Sequence, residues 1–164
     1  MPNKYYIETS IPSFYHDTRS NIRAQAMRKW TRQWWHHMPG ENMVLLTGLP
    51  VIAELSRAPD PKKENCLRLI SGLPVLDYDD IADEIVAAYI RHSLMPDEDM
   101  GDAAHLALAS FHKCDFLVTW NCRNIANANK FDHIRRVNGM LGLFTPKLVT
   151  PLQLLEGDYD EQEC

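Results

Sequence analysis

Apolar positions recur along the chain with two periods, and the two alternate from one end to the other. Tyr5, Tyr6 and Ile7 form an aromatic and β-branched run of the kind strands favour, closed by Glu8 and then by Pro12. Over 19–38 the spacing changes to four, at Ile22, Ala26, Trp30 and Trp34, which predicts a helix with one apolar stripe. MVLLT at 43–47 reads as a short buried strand, and 48–57 as a helix with Pro50 in its first turn. A second helix is expected over 61–73, ended by Gly72 and Pro74, followed by the strand PVLD at 74–77. The span 79–94 reads as a long helix capped by its aspartates, with Ile81, Ile85, Ala88 and Tyr89 facing inward. Beyond an acidic loop at 96–101 come an alanine-rich helix over 102–113 and the strand DFLVTW at 115–120. A shorter helix near 123–128 and a last strand at 148–150 complete the pattern.

Strands alternating with helices imply an α/β fold with a mostly parallel central sheet flanked by helices. In such a sheet the ligand site lies beyond the carboxyl ends of the strands. The 164 residues suit one domain with a real core, and 45% apolar with 24% charged residues is an ordinary globular balance. No apolar run is long enough to cross a membrane, and MPNKYYIETS lacks a secretory pattern. Cys66, Cys114, Cys122 and Cys164 are scattered without a C-x-x-C, so reduced thiols and a cytoplasmic location are expected. The histidines show no zinc-ligand spacing with them. A net charge of −5 excludes a protein coated in positive charge but leaves room for a local basic surface.

Acids fall at telling places in this frame. Glu8 follows the first strand, with the hydroxyls of Thr9 and Ser10 behind it. Glu54 sits in VIAELSR among Val51, Ile52 and Leu55, and Asp102 opens GDAAHLALAS, whose small residues allow close packing. LVTWNCRN ends its strand on Thr119, Asn121 and Asn124. In isolation each acid has a bland explanation: a wet strand end, a solvated helix residue near Arg57, a helix cap. Converging carboxylates, however, repel one another and call for a counter-ion. Mg²⁺ or Mn²⁺, hard ions that take oxygen ligands, meet that need and suit phosphodiester hydrolysis. Thr9, Ser10 and Thr119 can then hold waters or phosphate oxygens. His105, one turn beyond Asp102, is expected as a packed core histidine. Asp97, Glu98 and Asp99 read as a solvated loop.

The blocks YIETSIPSFYHDTR, VIAELSR and GDAAHLALASFHKCDFLVTWNCRNIANANK resemble the acidic-site blocks of PIN-domain proteins, above all VapC-type toxin ribonucleases of bacterial toxin–antitoxin systems. The resemblance implies a PIN-like three-layer sandwich forming a single domain over 1–155, with a short acidic tail over 156–164. It also implies an Mg²⁺- or Mn²⁺-dependent endoribonuclease, an RNA substrate, a cognate antitoxin and a homodimer. Carried over residue by residue, Glu8, Glu54 and Asp102 stand at the metal-binding and catalytic acids, and Asn121 at a fourth catalytic position. Thr9, Ser10, Thr119, Arg123 and Asn124 are the expected substrate contacts. Glu8 stands where the family usually has Asp, and Asn121 is neutral, so the cluster carries three formal negative charges. One tightly held ion, joined by another with the phosphate, is the arrangement this implies.

The Asn121 substitution keeps an alternative open, a non-catalytic PIN-fold module that binds RNA or protein. A phospho-acceptor domain ranks lower, because no lysine follows LVTW until Lys130, and the missing glycine-rich turn after strand one argues against a nucleotide cofactor. Two basic regions remain as substrate surfaces. The helix over 19–38 carries Arg19, Arg23, Arg28, Lys29 and Arg32 with no acid, and Arg28, Arg32 and Trp35 fall opposite its apolar stripe. Arg123, Lys130, Arg135 and Arg136 form the other, near the expected site mouth.

Overall fold

The computed structural model describes residues 2–38, 40, 42–95 and 100–156, Met100 by its backbone alone. The acidic loop residues Asp97, Glu98 and Asp99, and the expected tail from residue 157 onward, lie outside the described residues. In chain order the elements are β1 (Asn3–Ile7), α1 (Ser10–Tyr15), α2 (Ile22–His37), β2 (Met43–Gly48), α3 (Leu49–Leu55), α4 (Lys62–Ile70), β3 (Val75–Leu76), α5 (Asp80–Arg91), α6 (Met100–Phe111), β4 (Phe116–Val118), α7 (Ala128–Leu141), β5 (Lys147–Val149) and α8 (Pro151–Glu156). The strands form one five-stranded sheet in the order β3-β2-β1-β4-β5. Every pairing is parallel, with Tyr5 opposite both Leu45 and Phe116, and Ile7 opposite Val118.

Strand β1 lies at the centre and is buried on both faces, and its side chains divide with the period of two that a pleated strand imposes. Tyr6 enters a core with Leu46 and Leu117 and with residues of α3 to α7, among them Val51, Leu55, Tyr89 and Leu106. Tyr5 and Ile7 enter a second core on the opposite face, with Ile11, Met27, Trp34 and Trp120. The result is three layers: helices, parallel sheet, helices. Among the described residues no helix is long and apolar enough to cross a membrane.

The expected helices and strands are present, with four local differences. Helix α2 buries Ala24, Met27, Thr31 and Trp34, whereas Ile22 is 86% exposed, so the stripe runs i, i+3, i+7, i+10 and not every four residues. In α5 the inward face includes Ala82 and Val86, and Ile81 points to solvent. No helix forms at 123–128; that span is turn, and α7 begins where it ends, capped by Asn127 and closed by Gly142 in the left-handed region at φ 71°. Pro12 does not simply end β1 but sits in the six-residue α1.

A candidate acidic metal centre

The order β3-β2-β1-β4-β5 reverses direction between β1 and β4, and a parallel sheet opens a crevice at the carboxyl ends of such a strand pair. Glu8 follows β1 there. It is 5% exposed, and its backbone N–H continues the ladder to the Val118 carbonyl at 3.2 Å. Three donors converge on Glu8 Oε2: the Ser10 amide at 2.8 Å, the Thr119 hydroxyl at 2.8 Å and the Ser10 hydroxyl. Both hydroxyls are themselves fixed from the turn after β4. Ser10 Oγ accepts from the Trp120 N–H at 2.8 Å and Thr119 Oγ1 from the Asn121 N–H at 2.9 Å. The hydroxyls behind the first carboxylate therefore orient it, and with all three bonds on Oε2 the other oxygen has no partner among the described residues and is available to a ligand.

Glu54 comes from the other side of β1. Helix α3 starts directly from β2, with Pro50 in its first turn, and anchors itself by the buried Val51 and Leu55. That fixes Glu54 at the crevice, one-third exposed, where its Oε1 accepts from His105 Nε2 at 2.7 Å. His105 is fully buried on α6, and its Nδ1 lies 2.9 Å from the Tyr6 hydroxyl. With the neutral ring protonated on Nε2, Tyr6 donates to Nδ1 and His105 donates to Glu54, a line of two bonds running from the central strand to the carboxylate. The main chain is tight here. A Cβ on Gly48 would lie 2.6 Å from the Tyr6 hydroxyl, and one on Gly101 would lie 2.8 Å from Glu54 Oε1.

A carboxylate oxygen of Glu8, one of Glu54 and a His105 ring nitrogen all lie within 4.8 Å of one another. Asp102 stands outside that trio, three residues before His105 on the same side of α6, and its Oδ2 accepts from Asn124 Nδ2 at 2.9 Å. Asp102 lies within α6 and is not its cap. Asn121 folds the turn after β4, its Oδ1 accepting from the amides of Arg123 at 3.2 Å and Asn124 at 3.0 Å. Arg123 is exposed on that turn. The buried Thr9 hydroxyl lies close enough to Glu54 to favour its anion, yet makes no hydrogen bond of full geometry.

Charge explains how these groups settle. Burial pushes the Glu8 carboxyl above its ordinary value, against His105 and the bonds from Ser10 and Thr119, which favour the anion. Burial is also the largest single influence on Glu54, but the His105 hydrogen bond and charge, with Thr9 and Arg57, outweigh it and hold Glu54 low. For His105 burial opposes protonation, and Glu54, Glu8 and Asp102 together overcome it and raise the ring. The donor set fits a small hard cation: carboxylate oxygens with one atom left free on Glu8, and an unsatisfied hydroxyl at Thr9. Both His105 nitrogens already have partners, which makes His105 a support for Glu54 more than a ligand.

The sequence led to the expectation of one trio of Glu8, Glu54 and Asp102; the structure brings Glu8 and Glu54 together with His105 as the third member, and leaves Asp102 outside the trio, bonded to Asn124. Sequence reasoning did not find that His105, expected as a core residue and as buried as one, also touches the cluster. The signal was its position three residues after Asp102. Of the second basic region, Lys130 donates to the Leu94 carbonyl at 3.1 Å and so ties α7 to the segment that follows α5.

The fold has solved counterparts. VapC20 of Mycobacterium tuberculosis, described as a Sarcin-Ricin loop cleaving toxin, matches with a TM-score of 0.52 over 73% of this chain and 91% of its own, at 14% identity. A chain of a toxin–antitoxin complex from Klebsiella pneumoniae matches with a TM-score of 0.51 over 77% and 93%, at 19% identity. No protein-family model and no curated protein sequence matches the chain. At these identities the likeness is one of fold: the chain has a PIN-like three-layer sandwich in common with these two structures.

Proposed function

We propose that this protein is a divalent-metal-dependent endoribonuclease of the toxin type, held in check by a cognate antitoxin. The observation that carries the proposal is the Glu8–Glu54–His105 cluster, set with Asp102 at the switch point of a parallel sheet. Glu8, Glu54 and Asp102 hold the cation, Mg²⁺ or Mn²⁺. When bound, it supplies Lewis-acid polarisation of the scissile phosphate and favours ionisation of a water.

The chain's own residues do the rest. Ser10 and Thr119 keep Glu8 in one orientation, and His105, backed by Tyr6, does the same for Glu54. Asn124 fixes Asp102 and is itself placed by Asn121, so the neutral fourth position acts through the turn it folds. A carboxylate not engaged by the cation accepts the water's proton. Arg123, exposed on the turn that Asn121 folds, meets the phosphate, while the buried Thr9 hydroxyl acts through Glu54. The antitoxin and a homodimer belong to the same proposal; its support is the fold shared with toxin structures, one of them solved as a toxin–antitoxin complex.

Purified, antitoxin-free protein should cleave RNA with Mg²⁺ or Mn²⁺ and not in EDTA. Asp102→Asn and Glu8→Gln should lower the rate by about a hundredfold or more, as loss of a charge-stabilising group does. Equal cleavage by wild type and both variants would remove these residues from the chemistry. Mn²⁺ titration calorimetry separates the alternative, since a binding-only module would retain RNA without measurable metal affinity.

A further inference from the structure

The outer face of α2 is the most strongly basic helix surface of an otherwise acidic chain. Its sixteen residues include no acid, while the whole protein carries a net charge of −5. Arg28, Lys29, Arg32, His36 and His37, with two glutamines, share one open face of the helix. Every one of these side chains carries a hydrogen-bond donor or a nitrogen able to gain a proton, and none is a carboxylate. The arginines are fixed but not neutralised. Arg28 Nη1 donates to the Asp17 carbonyl at 2.9 Å and Arg32 Nε to the Tyr15 carbonyl at 2.9 Å. Among the described residues neither forms an ion pair. The two arginines leave the helix one turn apart, about 6 Å along its axis, and among the described residues each keeps donors without a partner.

An aromatic element accompanies the charge. The Arg32 guanidinium lies 5.1 Å from the Tyr15 ring centroid, and the Tyr15 hydroxyl is 2.7 Å from His36 Nε2. Cations interleaved with rings suit a single nucleic-acid strand, whose phosphates meet arginine and whose bases stack. The helix also reaches the rim of the acid cluster. Trp30 stacks on Trp120 with centroids 6.1 Å apart, and Thr31 accepts from the Trp120 indole N–H at 2.8 Å. Trp120 is the residue whose amide holds Ser10, and Ser10 holds Glu8.

We propose that this face of α2 is a docking surface for the phosphate backbone of single-stranded RNA, separate from the acids that would cut it. The choice of RNA among polyanions rests on the ribonuclease proposal above; the choice of a polyanion rests on the charge of the helix face alone. The test is binding of a short fluorescein-labelled oligoribonucleotide to the full chain in EDTA, across a salt series. Binding should weaken with salt, and Lys29→Gln should reduce the log–log slope by about 0.7, the release expected for one single-strand phosphate contact. Lys29→Arg should restore it. Lys29→Gln with Arg32→Gln should reduce the slope by about 1.4, with the melting curve of each variant confirming that α1 stays in place.

An unchanged slope in the double variant would overturn the proposal. So would poly-glutamate competing as well as RNA per charge, which would mark a surface for an acidic protein segment. Because binding is read without metal, the two proposals fail separately. Protein that binds with the expected slope but cuts nothing ends the ribonuclease proposal only. Protein that cuts RNA with Mg²⁺, while the double variant keeps the wild-type slope, ends this one only.

Discussion

Gly101 shows how closely single residues set the candidate site. It is the second residue of α6, where alanine would raise helix propensity by about 1 kcal/mol. Yet a methyl there would lie 2.8 Å from Glu54 Oε1, and the carboxylate would have to move against its bond to His105. Gly101→Ala should therefore leave the melting temperature unchanged or raised while weakening Mn²⁺ binding about tenfold or more, the range seen when groups supporting metal ligands are disturbed. Calorimetry and a thermal melt on the same sample check both signs, and undiminished Mn²⁺ affinity would place the metal away from Glu54. The same residues show what the sequence could disclose. Glu8 and Asp102 were legible because carboxylates at strand ends and helix starts can be located without coordinates. The part played by His105 was not legible, since an apolar neighbourhood at helical spacing looks the same whether the ring only packs or also bonds to Glu54. Nor do letters alone show that the Ser10 and Thr119 protons are committed to Glu8; that needs the β1–β4 register.

At the scale of elements, α2 and α7 mark the two ends of what periodicity can reach. Helix α2 was expected from its apolar spacing, but the choice of a four-residue step over the mixed three-and-four step rotated its inner face and put Ile22 in the core. Its true anchor is Trp34, fully buried against Tyr5 and Trp35 at centroid separations of 6.4 and 6.2 Å. Trp34→Ala should cost about 3 kcal/mol, the lower end for a buried large aromatic, because its indole N–H is buried without a partner among the described residues and truncation relieves that penalty. Urea titration measures it, and a loss below about 0.5 kcal/mol would mean that α2 does not close this core. Helix α7 had its signals in the chain: Phe131, Ile134, Asn138 and Leu141 keep helical spacing between Asn127 and Gly142. The asparagines and arginines between them hid the stripe, and Asn138 is a core position filled by a polar residue, satisfied by Tyr89 at 2.6 Å and Ser110 at 3.1 Å. Helices α1 and α8, six residues each, are too short for any period to show.

For the molecule as a whole, the candidate site concentrates unfavourable charge in the fold, and the direction of each ionisation shift says how stability depends on pH. Glu8 is raised by burial, so its contribution is fully present below the ordinary carboxylate value and is lost as pH rises through its folded value. His105 is raised by Glu54, Glu8 and Asp102 against the opposing effect of burial, and its contribution is likewise lost as pH rises above the ordinary histidine range. Glu54 is held low, so its contribution is present above the ordinary carboxylate value and disappears only on acidification. Between mildly acidic and mildly basic pH the first two effects act in the same direction and outnumber His16, outside the cluster, whose ring burial lowers and whose contribution therefore grows with pH. In EDTA the melting temperature should fall across that window, and Glu8→Gln should flatten its acid end. A cation bound to the ionised carboxylates reverses the balance. At a hundredfold excess over its dissociation constant it adds about 2.7 kcal/mol, or roughly 5–10 °C for a chain of this size. The gain should be larger at the basic end, where Glu8 is already ionised and no proton must leave before the ion enters. A melt series with Mn²⁺ against EDTA across the window checks the sign. An equal gain at both ends would show that the ion binds where Glu8 does not reach, and so separate the buried carboxylate at the centre of the sheet from the metal it is proposed to hold.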